Sequence, residues 1–293
     1  MGRPKGSKNK CKFSEEDKDE IVRLYKEERT PLYKLQKIFK SSNPVLKRVL
    51  EERGVEIRSF RDSKRLYPLN EDYFEKVDSK DKAYWLGWMY ADGFITEGAN
   101  GQFIFGINLA EIEPLILFKR YLETDKPISE SINSGFKTGS VLYSLAISSK
   151  KVYSDLISHG VVKNKTFKIE FPELEKELIP HFIRGYFDGD GTVFTSSQKH
   201  LLYLHSGFSG TQSFLSEILK NLNFTKNETS NLYKDKRKTT DCWNIRFNIE
   251  NSILLYKYLY KDCGDLFLKR KRDVFENYII DKGSTTIIAS PIL

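Results

Sequence analysis

The strongest constraint in this 293-residue sequence is a nine-residue pattern that occurs twice. Ile183-Arg184-Gly185-Tyr186-Phe187-Asp188-Gly189-Asp190-Gly191 has a weaker twin in Trp85-Leu86-Gly87-Trp88-Met89-Tyr90-Ala91-Asp92-Gly93. Both runs are apolar, place small residues four apart (Gly87 and Ala91; Gly185 and Gly189) and close on Asp-Gly. Residues four apart share a helix face, and a face of small residues lets two backbones approach closely. The closing glycine is expected just past each helix, at positive φ. Asp92 and Asp190 then fall in the last helical turn, where the macrodipole disfavours a carboxylate and invites a cation. If the two helices pack side by side the carboxylates meet, and like charges that close favour a shared divalent metal.

The doubled pattern resembles the LAGLIDADG homing endonucleases. In single-chain members two copies form the central helix pair of an α+β fold, a pseudo-symmetric, duplicated αββαββα arrangement with saddle-shaped antiparallel sheets. The aspartates stand 98 residues apart (92 to 190), which suits one such half. The resemblance implies that Asp92 and Asp190 hold Mg²⁺, with Mn²⁺ able to substitute, each helped by a backbone carbonyl of the opposite motif, near Ala91 and Gly189. Such an ion activates water, neutralises the pentacoordinate transition state and stabilises the departing 3′ oxygen. The family also brings a lysine from the end of each half to the site. Lys-x-Lys recurs at Lys163/Lys165 and Lys269/Lys271, and Lys163 and Lys269 are the expected pair. Asp188 has Tyr90 as its counterpart, so it reads as structural.

The two halves repeat one order. In the first, the alternation Phe103, Phe105, Ile107, Leu109 predicts a strand, followed by a helix carrying Ile112, Leu115, Leu117, Phe118 and Leu122. Val141 to Ile147 predicts a strand paired with one before Asn133-Ser134-Gly135, and a helix with Val152, Leu156 and Ile157 stops at Gly160. In the second, Thr192–Ser197 and Leu201–Ser209 form a hairpin, Phe214 to Leu222 a helix, and a hairpin through Lys234, Lys236, Arg237 and Lys238 returns as Trp243 to Ile249 before a last helix to Leu259. The alternate face of that return strand offers Asn244, Arg246 and Asn248, side chains that can read base edges. A solvated sheet face has the same pattern. The matching face of the first half offers Gln102, Asn108, Ser140, Ser144 and Ser148.

Ahead of the duplicated region, Arg3 and Lys5 lie in a basic tail (1–12) with an AT-hook-like Gly-Arg-Pro-Lys-Gly; non-specific phosphate contact is an equal reading. Three short helices follow in 13–60. Ser14 and Asp17 form a capping box, Leu32, Leu35, Ile38 and Phe39 line the second helix, and Asn43 caps a third that begins at Pro44 and presents Lys47 and Arg48 beyond Ser42. This is a helix-turn-helix layout, and a three-helix bundle for protein contacts is the alternative. Arg58, Arg61, Lys64 and Arg65 sit in or beside a polar linker (61–80) suited to phosphates. The first half spans 81–174, the second 175–280, and 281–293 reads as a loose tail.

A net charge of +8 favours a polyanionic partner. No apolar run reaches the ~20 residues of a membrane span, and no secretory signal is read. The three cysteines lack metal-ligand spacing. The four histidines match neither an HNH nor a GIY-type arrangement. The resulting expectation is a cytoplasmic monomer, in a bacterial or phage-infected cell rather than an organelle, that cuts double-stranded DNA at a long asymmetric site. A silent DNA-binding regulator and an RNA-binding intron maturase are the alternatives.

Overall fold

The computed structural model describes residues 13–28, 30–57, 67–98, 101–132, 139, 141–163, 169–223, 232–235 and 242–288, with side chains to 281. The chain divides into two compact units, Met1–Pro68 and Leu69–Leu293.

The first unit holds helices α1 (Glu15–Lys26), α2 (Leu32–Ile38) and α3 (Asn43–Glu52). Ser14 starts α1 through a reciprocal capping box with Asp17, each backbone N–H donating 3.1 Å to the other's side chain. Ile21, Tyr25, Leu35, Leu46, Val49, Leu50 and Val55 form its core. Two details differ from expectation. Ser42, not Asn43, occupies the cap position of α3, so Asn43 is already helical. Ile38 points outward, 55% exposed, whereas Leu35 is the buried residue of α2. Ser42, Lys47 and Arg48 are exposed on the entry and outer face of α3.

The second unit repeats one order of elements. Its first half runs α4 (Lys80–Ala91), β1 (Gly93–Glu97), β2 (Phe103–Leu109), α5 (Glu113–Tyr121), β3 (Ser129–Ile132), β4 (Val141–Ser148) and α6 (Lys150–Ser158). Its second half runs α7 (Ile179–Asp190), β5 (Thr192–Gln198), β6 (Leu201–Gly210), α8 (Gln212–Leu222), β7 (Tyr233–Lys234), β8 (Trp243–Phe247) and α9 (Ile249–Tyr260), followed by α10 (Lys269–Ile288). Each half carries one four-stranded antiparallel sheet, ordered β1-β2-β4-β3 and β5-β6-β8-β7. The fold is α+β and the αββαββα duplication is complete. Strand β1 has no apolar alternation strong enough to mark it in the sequence. The register makes it visible, since Gly93 pairs Ile107 as Thr192 pairs Gly207, one step on.

Tyr73 and Phe74, read from sequence as linker, are buried in the second unit's core. Lys151 pairs with Asp72 and Glu75, and Asn70 donates its backbone N–H to Leu122 O at 2.9 Å. Residues from Leu69 onward therefore belong to the duplicated domain. At the other end, helix α10 continues to Ile288 through the stretch read as a loose tail.

Candidate active site

Helices α4 and α7 run side by side in the same direction through the centre of the core. Ser79 caps α4, accepting from the Lys82 N–H, and Pro180 occupies the first turn of α7. Their contact is built on glycine. A Cβ on Gly87 would lie 2.2 Å from Phe182 O and 2.6 Å from Tyr186 N, and one on Gly185 would lie 1.9 Å from Tyr84 O. One turn on, a Cβ on Gly189 would meet Ala91 Cβ at 2.2 Å and Asp92 Oδ2 at 3.1 Å. The small-residue faces read from sequence are the crossing point, and the shared direction delivers both helix C-termini to one place.

Asp92 follows α4 directly and Asp190 is the last residue of α7. Asp92 is half-buried and leans over Gly189 of the opposite motif, while Asp190 is exposed. Both carboxylates act on the same two groups, the Tyr186 hydroxyl and the Lys271 ammonium. The motif glycines have a different reason from the one expected. Gly191 has φ −70° and ψ 155°, and neither it nor Gly93 is among the positive-φ residues. The chain turns straight from helix into strand across its own last turn. A Cβ on Gly191 would strike the Phe187 ring at 2.3 Å, and one on Gly93 the Met89 Cα at 2.5 Å.

The lysines sit differently from expectation. Lys269 is 80% exposed at its side chain and pairs with Asp273 at 2.6 Å. It lines a cavity of about 540 Å³ beside Tyr84 and Trp85, about 10 Å along α4 from Asp92. Lys163 pairs with Glu97 at 2.7 Å, at the far end of β1 and about 13 Å of strand beyond Gly93. Lys271 is the lysine at the motif. It is 4% exposed, and its ammonium donates to Phe187 O (2.6 Å), Gly189 O (2.9 Å) and Gly191 O (2.6 Å). It thus supplies the cation that the negative end of α7 favours. Burial lowers its pKa to about 8, against the pull of Asp188, Asp92 and Asp190. Lys165, its counterpart by spacing, lies outside the described residues.

Asp188 is 1% exposed. Its Oδ2 accepts from the Tyr84 hydroxyl and from the Leu268 N–H, each at 2.9 Å, tying α7 to α4 and to the start of α10. Burial raises its pKa to about 6, opposed by Lys271, Tyr84, the Leu268 amide and Arg184. Its counterpart Tyr90 does equivalent work in the first half, donating to His159 O at 2.7 Å.

As to a metal, no group of three or more His, Cys, Asp or Glu is gathered among the described residues. The donors on offer are two carboxylates plus the main-chain carbonyls of Ala91 and Gly189, the latter keeping a lone pair beside its bond to Lys271. That set fits a hard divalent ion that retains waters and substrate oxygens.

The two sheet faces turned away from the helices carry the other expected residues. On the second, Asn244 and Arg246 lie on one face with Thr192, Phe194, His205, Gly207 and Ser209, and Ser209 Oγ donates to Asn244 Oδ1 at 2.6 Å. Asn248 is not on it. Strand β8 ends at Phe247, and Asn248 caps α9 by accepting from the Asn251 N–H at 2.8 Å. Lys234 is displaced as well. It pairs with Trp243 and so shares the helix-side face, which leaves Tyr233, paired with Asn244, on the polar one. In the first half Asn108 pairs Ser144 on the polar face, and Gln102 is exposed just before β2 in the same phase. Arg3, Lys5, Arg58, Arg61, Lys64, Arg65, Ser140, Lys236, Arg237 and Lys238 lie outside the described residues.

No curated protein matches this sequence. Among solved structures it is similar to the homing endonuclease I-WcaI bound to its DNA recognition sequence, with 12% identity and a TM-score of 0.49 over 77% of this chain and 96% of that one. It is also similar to the LAGLIDADG meganuclease I-AabMI bound to uncleaved DNA, with 11% identity and a TM-score of 0.44 over 69% and 90%. A family model described as a LAGLIDADG-like domain matches residues 177–261. That match runs from α7 through α9, and the elements from Lys80 to Ser158 repeat the same order ahead of it.

Proposed function

We propose that the chain is a site-specific DNA endonuclease that hydrolyses both strands with a divalent metal, Mg²⁺ by preference, and leaves staggered ends with 3′ overhangs. The observation that carries this reading is the meeting of Asp92 and Asp190 at adjoining helix ends, held by the Gly87–Gly185 crossing. A binding protein gains nothing from two carboxylates aimed at phosphates, whereas a phosphodiesterase needs them.

Asp92 and Asp190 hold the metal, with the Ala91 and Gly189 carbonyls beside them. Once bound, the ion supplies an activated water and charge neutralisation for the transition state and the 3′ oxygen. Lys271 fixes the carbonyls of the last turn of α7 and adds positive charge beneath the acids. The polar sheet faces contact base edges, through Arg246 and Asn244 in the second half and Gln102 and Asn108 in the first. Because the two faces differ in chemistry, the site they read is asymmetric. Ser42, Lys47 and Arg48 give the N-terminal unit a phosphate-contacting edge. Both motifs stand in one chain, so a monomer completes the helix pair.

The test is incubation of a diverse duplex library with Mg²⁺ and sequencing of the ends. Recurrent staggered breaks at one sequence support the endonuclease. Specific binding without cleavage points to a regulator, and tighter binding to structured RNA than to any duplex points to a maturase.

A further inference from the structure

The two polar faces can be compared row by row, because the sheets share a register. Phe94–Gly106–Ala146 in the first half corresponds to Thr192–Gly207–Arg246 in the second. One row further from the motif, Thr96 opposite Ile104 corresponds to Phe194 opposite His205. The second half has thus replaced a small side chain by a phenyl ring, and that ring is left 44% exposed. It is also held in place. Phe194 stacks on His205 with centroids 4.9 Å apart and planes 24° apart, and His205 Nε2 is bonded to Ser196 Oγ at 2.8 Å.

Phe194 and His205 wall a shallow cleft of about 70 Å³, whose other lining residues include Thr192, Gly207, Tyr233 and Arg246. The cleft is far below the roughly 300–1,000 Å³ of pockets that hold whole small molecules, so it suits a substituent on a base edge. Most of the lining is polar, with Ser209 and Asn244 beside Thr192, His205 and Arg246, and the exposed Phe194 ring is its apolar wall. The one apolar substituent that duplex DNA presents in the major groove is the thymine C5-methyl.

We propose that this cleft reads thymine, with the C5-methyl lodged against Phe194. This rests on the reading of the polar sheet faces as the DNA interface, and it makes Phe194 a specificity-determining residue held in place by His205.

The experiment begins from duplexes selected by the full chain from a random library. Each thymine of the selected site is replaced in turn by deoxyuridine, which keeps every hydrogen-bonding group and removes only the methyl. At one position the native protein should bind about fourfold more weakly, the effect expected of one buried methyl group. Phe194→Ala should bind the thymine and uracil duplexes alike, and Phe194→Leu should retain much of the preference. Indifference of the native protein at every thymine, or a selected site without thymine, overturns the proposal while leaving DNA binding intact. Failure to bind any duplex overturns the proposal and the reading beneath it together.

Discussion

The Lys271 ammonium lies 2.9 Å from the Gly189 carbonyl and donates as well to the carbonyls of Phe187 and Gly191 on either side. One side chain thus satisfies the open end of the motif helix that carries Asp190. Replacing it by methionine keeps the apolar stem and withdraws the ammonium from all three carbonyls, of which Phe187 O keeps the Gly191 N–H at 2.8 Å. Lys271→Met should cost about 1–3 kcal/mol in stability, measured by urea unfolding. Lys269→Met, at an exposed ion pair, should fall within about 0.5 kcal/mol of the native protein.

The glycine crossing allows no added atom. A methyl on Gly185 would lie 1.9 Å from the Tyr84 carbonyl, which is backbone and cannot swing aside. Gly185→Ala should therefore destabilise by about 3 kcal/mol or more, at the upper end of overpacking effects. Gly98→Ala is the comparison, because its nearest heavy atom would be 3.6 Å away. A Tm unchanged in Gly185→Ala would contradict the close approach.

His181 provides a pH signature. Its Nδ1 lies 2.9 Å from the Arg184 guanidinium, which only donates, so the folded imidazole is neutral with its proton on Nε2. Burial lowers its pKa to about 4, helped by Arg184 and Lys80 and opposed by Asp262. Between pH 6.5 and 4 the unfolded chain binds the proton and the folded one does not, so this residue's contribution is lost as pH falls through that window. His181→Gln keeps an acceptor for Arg184 without titrating. Its stability relative to the native protein should improve progressively from pH 6.5 to 4, as followed by denaturant unfolding at a series of pH values.

The exposed Lys47 and Arg48 of α3 test the N-terminal unit. If both contact phosphates, the double alanine variant should weaken binding to all duplexes alike. It should also flatten the slope of log affinity against log salt by about two. A change confined to one sequence would mean base reading instead.

Much of this fold is legible because the strongest signals are local. The Asp-Gly motifs, the small-residue spacing, the Ser14 capping box and the β4 alternation each mark their elements without tertiary context. The site is less legible where a choice depends on helix phase. Lys269 and Lys271 look equivalent in a Lys-x-Lys run, yet Lys271, Phe275 and Tyr278 form the buried stripe of α10, in phase with Leu268 just ahead of it. That three-and-four spacing is visible in the sequence once the helix start is known. Asn248 and Lys234 lie off the polar face for a related reason. A strand read two residues too long, to Ile249 rather than Phe247, turns a helix cap into a face residue, and only the register shows that Lys234 opposes Trp243. Gly93 and Gly191 were expected to supply positive φ, whereas they make room for the preceding helical turn.

The central claim is that Asp92 and Asp190 together form one catalytic centre. Its most direct test is strand-resolved cleavage of a mapped target by the native protein, Asp92→Asn and Asp190→Asn, with folding checked by thermal melts. The account predicts that each variant stays folded and binds the target, yet makes no double-strand break. Double-strand cleavage by either variant at the native rate would contradict it.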